Sequence, residues 1–196
     1  MRVPVKRADF SQGLVHLTRD RLQNLEDEID AASPFEVLKE ILASGVIRGS
    51  GNSGYVKGAL PAACFSEIPL SAVHQFASPP NVPFGPSVRY RFYGIAISKK
   101  ACFAAGGRPV IYLPDSETDW IPADQKWRVV RFEHGLVDFT HEREWRVRGD
   151  LQLAKLPGMY LLVWSASEAS EVAAMNFEVK ALVRGILPME HLTQLL

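Results

Sequence analysis

Cysteine is scarce. The 196 residues contain two, Cys64 and Cys102, each in an apolar string ("AACFSEI", "KKACFAAGG") without a Cys-x-x-Cys partner. That spacing speaks against a disulfide framework or a zinc ribbon and predicts buried thiols. Net charge is missing too: Lys+Arg and Asp+Glu stand at 22 each, so no overall field draws the chain toward nucleic acid or an anionic membrane, although a local basic groove is compatible with the balance. No apolar run approaches the roughly 18 residues of a spanning helix, and "MRVPVKRADF" has no apolar core of signal-peptide length. A cytoplasmic protein with no membrane partner is expected. Repeats, low-complexity tracts and weakly hydrophobic charged stretches are also absent.

What remains is ordinary globular composition, 47% hydrophobic and 22% charged, at a length that suits a single domain over residues 1–196. "GLVHLT" alternates as a strand, with His16 and Thr18 on one face and Val15 and Leu17 on the other. "SPFEVLKEILASG" is a helix with Ser33 as N-cap, Pro34 first, Glu36 three residues after the cap and Gly45 as the stop. "RDRLQNLEDEIDAA" reads either as a polar helix or as an excursion, and "GSGNSGYVKG" and "SPPNVPFGPS" are loops. Next come a short buried strand in "PAACFSEI", a helical turn in "LSAVHQFA", a strand in "VRYRFYGIAIS" and a short helix in "SKKACFAAGG". "RPVIYLP", "KWRVVRFEH", "VDFTHEREWRV", "MYLLVWSA" and "FEVKALVRGIL" all read as strands, and "PMEHLTQLL" as a closing helix. The sum is an α+β domain around a strongly bent or split sheet, its helices mainly in the N-terminal half.

Chemistry concentrates in "HEREWRV". As a strand it puts Glu142, Glu144, Arg146 and Arg148 on one face and His141, Arg143, Trp145 and Val147 on the other. Such an ionic face is either a solvated surface of weak same-strand pairs or the lining of a cleft for a substrate that develops positive charge and carries phosphates. The string opens like a zincin helix, yet Trp145 stands where the second histidine belongs, and no metal site is expected. "GSGNSG" lacks the lysine and the following helix of a P-loop. Cys64 with His74 is a formal nucleophile pair, but "AACFSE" looks like core.

In order, "LVHLTRD", "VLKEILASGVIRGS", "ACFSEIPLSAVHQFA", "YGIAISKKACFAAGGRPVIYLPD" and "EREWRV" resemble the AbiGi-type abortive-infection proteins, antitoxins of bacterial anti-phage systems. The likeness covers most of Leu14 to Val147. More distantly, His16 and Thr18 in "VHLTRD", a helix ending in glycine, Phe65 and Ser66 in "CFSE" and Glu144 in "REWRV" are similar in place to motifs of DarT, a family of NAD-dependent DNA ADP-ribosyltransferases. That pattern has an arginine shortly after its "FS", where this chain has Glu67 and Ile68.

The second resemblance implies an ADP-ribosyltransferase-like fold that takes NAD as substrate and passes ADP-ribose to DNA, RNA or another acceptor. Glu144 would be catalytic, stabilising the oxocarbenium-like transition state as carboxylates do in glycoside hydrolysis. His16 and Thr18 would hold the adenosine side, Arg19 or Arg146 the diphosphate, and Phe65, beside Ser66, the nicotinamide ring. The first resemblance implies the alternative, a non-catalytic antitoxin that binds a cognate toxin or nucleic acid. Catalysis carries one spatial requirement: Glu144 and His16 must converge on a shared pocket.

Overall fold

The structure is a computed structural model that describes residues 11–25, 28–51, 56–83 and 90–191. Seven strands form its main sheet: β1 Gly13–Leu17, β2 Ala62–Ser66, β3 Gly94–Ser98, β4 Arg108–Pro109, β5 Glu144–Arg148, β6 Met159–Val163 and β7 Val183–Pro188. Their spatial order is β7-β6-β3-β1-β2-β5-β4. All neighbours are antiparallel except β6 and β7, which run parallel. The sheet is therefore mixed, and the fold is α+β as expected.

Three helices are present among the described residues: α1 Pro34–Ser44, α2 Lys99–Ala104 and α3 Ala166–Ala174. The sequence explains α1 closely. The Ser33 hydroxyl accepts the Glu36 amide N–H at 3.2 Å, Pro34 opens the helix, and Gly45 closes it at φ 67°, a left-handed conformation that suits glycine. Leu38 and Leu42, one turn apart, are fully buried.

Each face of the sheet has its own apolar cluster. Leu14 of β1, Phe65 of β2, Ile95 and Ile97 of β3, Val147 of β5 and Leu161 of β6 pack under Leu38 and Leu42 of α1, Ala101 and Cys102 of α2 and Val172 of α3. Val15, Leu17, Ala96 and Leu162 point the other way, against Ile68, Val73, Phe92 and Met189. The central strands are thus packed on both sides. Gly94 of β3 pairs with Leu17, and a Cβ there would lie 2.2 Å from the His16 carbonyl oxygen. Only glycine permits that approach of β3 to β1.

One open reading is resolved and three expectations are corrected. The open segment 19–32 contains an antiparallel hairpin, Arg21–Leu25 with Glu28–Ala32. "VDFTHEREWRV" is a strand only from Glu144 onward. The Asp138 carboxylate accepts the Thr140 amide N–H at 2.8 Å and its hydroxyl at 2.6 Å, a turn forms over Thr140–Glu142, and Arg143 at φ 43° redirects the chain. In "FEVKALVRGIL" the strand is confined to Val183–Pro188, because Lys180 bonds back to the Ala173 and Met175 carbonyls, both at 2.7 Å, and holds a turn over Lys180–Leu182. Finally, α2 begins at Lys99, past the middle of the chain, and α3 lies in its last third, so the helices are not mainly in the N-terminal half. The closing helix beyond His191, residues 52–55 of the glycine-rich loop and residues 84–89 of the proline-rich loop lie outside the described residues. No described helix is long and apolar enough to cross a membrane.

Candidate functional site

The site is built on three adjacent strands, β1, β2 and β5. Their register sets Val15 opposite Ser66 and Ser66 opposite Glu144, in one row across the sheet. Residues opposite one another share a face, so Ser66 and Glu144 lie together, and Cys64 and Arg146, paired two positions along, lie on the same side. Phe65 and Trp145 occupy the intervening row and project from the opposite side. His16, with its ring centroid 5.7 Å from that of Phe65, goes with them.

On the Glu144 side the chemistry is a closed network. Glu144 Oε1 accepts from Arg146 Nε at 2.8 Å and Oε2 from Arg146 Nη2 at 3.1 Å, a bidentate pair between neighbours on one strand face. Arg146 Nη1 donates to the carbonyls of Trp127 at 2.8 Å and Val129 at 3.0 Å. The Arg146 side chain is 1% exposed and that of Glu144 is 11%. Burial alone would depress the arginine, but the Glu144 carboxylate more than offsets it and the pKa is raised. The Tyr112 hydroxyl accepts the Glu144 amide N–H at 3.0 Å, and burial pushes that phenol up to about 12. The Cys64 thiol, first by burial and then by the Glu144 charge, is pushed far above its usual range, which removes it as a nucleophile at neutral pH.

On the His16 side, Nδ1 bonds the Cys64 carbonyl at 2.8 Å, so the ring donates there. The β1–β2 ladder holds a single bridge, Val15 to Ser66, and just past it the imidazole satisfies a carbonyl that β1 leaves unpaired. Burial lowers the His16 pKa, keeping the ring neutral. Beside it, Trp145 Nε1 donates to Glu67 Oε2 at 3.2 Å, and Lys99 Nζ sits 2.6 Å from Glu67 Oε1. Glu67 is thus a buried, ion-paired carboxylate.

These positions correct several expectations. His16 and Glu144 lie on opposite faces of the sheet and do not converge. Arg146 is a buried strut tying β5 to the Trp127–Val129 segment, with its guanidinium engaged by protein groups, so it is not presented to a diphosphate. Thr18 is buried, its hydroxyl 2.9 Å from the Pro34 carbonyl and 3.3 Å from that of Tyr93, which fixes the start of α1 rather than a ligand. Phe65 is 1% exposed within the core. Ser66 is buried beside Glu144, and Arg19 is exposed at the end of β1. Glu142 is buried in the turn before β5 rather than in the ionic row of the strand. Tyr112 and the Trp127 and Val129 carbonyls were missed. A tyrosine in an apparent core strand carries no sequence mark of its partner, and a carbonyl carries none at all.

Two surface depressions lie elsewhere. One of about 270 Å³ runs between the end of α3 and β7, and one of about 230 Å³ is lined by Lys57, Gly58, Asp115, Thr118, Lys126 and Val129. Comparison with family models, with curated proteins and with solved structures gives no match.

Proposed function

We propose that this chain is a non-catalytic binding protein of an abortive-infection or toxin–antitoxin system, acting by engaging a partner macromolecule. The observation that carries this reading is the closure of the Glu144–Arg146 pair. Both carboxylate oxygens are taken by a guanidinium that is itself 1% exposed, and the imidazole required to complete an NAD site stands across the sheet. An acid arranged in this way neutralises the Arg146 guanidinium while that group bonds the Trp127 and Val129 carbonyls. The family placement comes from the AbiGi-like strings "CFSEIPLS" and "YGIAISKK", a resemblance rather than a match to a solved relative.

A second reading is favoured by one feature. Glu144 keeps 11% of its side chain accessible, and a carboxylate in a bidentate pair still has one free lone pair on each oxygen. In an ADP-ribosyltransferase-like fold that edge would accept a ribose hydroxyl of NAD and stabilise the oxocarbenium charge, with exposed Arg19 rather than Arg146 meeting the diphosphate and DNA or RNA as acceptor. The two readings separate on one assay. Purified protein is incubated with NAD, with and without oligonucleotide acceptors, and free nicotinamide is measured. No release is expected, together with stable co-purification of the product of a neighbouring gene. Release that Glu144→Asp retains in part and Glu144→Gln abolishes, both variants remaining folded, would establish the transferase instead.

A further inference from the structure

The two ends of the main sheet differ. At one, β4 is two residues long, Arg108–Pro109, and a short proline-bearing strand is a blunted edge. At the other, β7 runs six residues, Val183–Pro188, paired on its inner side to β6 and to nothing among the described residues on its outer side. Its residues are partly or fully exposed along their whole length. An edge strand of that length presents a row of free amide N–H and carbonyl groups, the template for strand addition.

The surroundings of that edge are selective. The depression of about 270 Å³ beside it has an apolar floor from Val172, Phe177, Val183 and Ile186 and a rim carrying Lys180 and Arg184. The cations bond only to backbone carbonyls: Lys180 to Ala173 and Met175, Arg184 to Pro157. No carboxylate pairs with either among the described residues, and Glu178, the nearest acid in sequence, is not part of the lining. Two exposed positive charges beside an apolar lining, next to an open edge, complement a segment that carries an apolar and an acidic side chain two residues apart. In an added strand residues two apart share a face, so the apolar side chain enters the depression while the acid meets its rim.

We infer that the outer edge of β7 docks an extended, acidic and apolar segment of a partner protein, added to the sheet as a further strand with its apolar side chains seated against Phe177 and Ile186 and its carboxylates on Lys180 and Arg184. This rests on the binding-protein reading and names where and how the partner is held. The probe is a panel of fluorescently labelled hexapeptides with Asp or Glu two residues from Val, Ile or Leu, titrated by polarisation in moderate salt. Saturable binding is expected from members of the panel, weakened at least tenfold by Arg184→Glu, and further by adding Lys180→Glu. Methylating alternate backbone nitrogens of the best peptide should abolish binding. Because Lys180 also closes α3, circular dichroism and a thermal melt accompany each variant, and Arg184→Glu alone serves if the double variant unfolds. Absence of binding across the panel overturns the inference, as does binding that is indifferent to N-methylation or to charge reversal. Nicotinamide release decides the wider reading independently: turnover with peptide binding intact would remove the non-catalytic reading and leave the docking edge standing.

Discussion

The most consequential residue is Arg146. A guanidinium 1% exposed is tolerable only because a carboxylate and two carbonyls complete its hydrogen bonds. Arg146→Met should destabilise the fold by about 3–5 kcal/mol, since it leaves Glu144 as a nearly buried charge with no partner. Replacing both residues together, Glu144→Leu with Arg146→Met, should recover much of that loss, because the desolvation of two charges disappears with the pair. Chemical denaturation of the two single variants and the double variant measures the coupling. A Glu144→Leu change that costs nothing by itself would contradict the network described. The same-strand adjacency of Glu144 and Arg146 was legible from period-two alternation. The membership of Glu142 in that row was not, because Arg143 adopts a left-handed conformation that an arginine does not signal, and only the Asp138-x-Thr140 turn chemistry hinted at the break.

Among the elements, α1 was readable to the residue, since capping is local chemistry that a short window contains in full. α3 carried an equally local mark, Ser165 followed three residues later by Glu168, yet its "ASEASEVAA" has few apolar side chains and no strong stripe, so the strand reading of the preceding "MYLLVWSA" ran over its start. In the structure the box is complete: Glu168 accepts the Ser165 amide N–H at 2.9 Å while the Ser165 hydroxyl accepts the Glu168 amide N–H at 3.2 Å. Glu168 does a second job, accepting the Tyr93 hydroxyl at 2.8 Å, which links α3 to the chain entering β3. Ser165→Ala should therefore cost about 1 kcal/mol, the ordinary value of an N-cap. Glu168→Ala should cost more, about 2 kcal/mol or above, because the hydroxyl of buried Tyr93 loses its acceptor along with the cap. Equal losses in urea denaturation would mean that the Tyr93 bond contributes nothing.

At the scale of the whole molecule, strand parity within a segment could be read from sequence, and parity between segments could not. "VHLT" and "REWRV" each declared their own two faces, but whether His16 shares a face with Glu144 depends on the β1–β2–β5 register, which is set by long-range pairing. That one-residue relation moved His16 from an expected active site to the core side of the sheet, and it gives the imidazole a measurable signature. Burial favours the neutral ring in the folded protein and lowers its pKa below the ordinary 6.5, so as the pH falls through 6.5 the unfolded chain takes up a proton first. Stability held in full above 6.5 is then lost progressively until the folded pKa is passed, after which both states are protonated and no further change comes from this group. The carboxylates with depressed values, Glu133 beside Arg131 and Asp138 beside Thr140, begin to lose their contributions only as the pH falls into the usual carboxyl range, after the His16 window has opened. The melting temperature should thus be level from pH 8 to 7 and decline on acidification below 6.5. His16→Gln, which preserves a donor for the Cys64 carbonyl without a titrating ring, should flatten that decline while leaving the fall at lower pH intact. A variant profile that parallels the parent through the whole range would show that burial does not hold the His16 ring neutral.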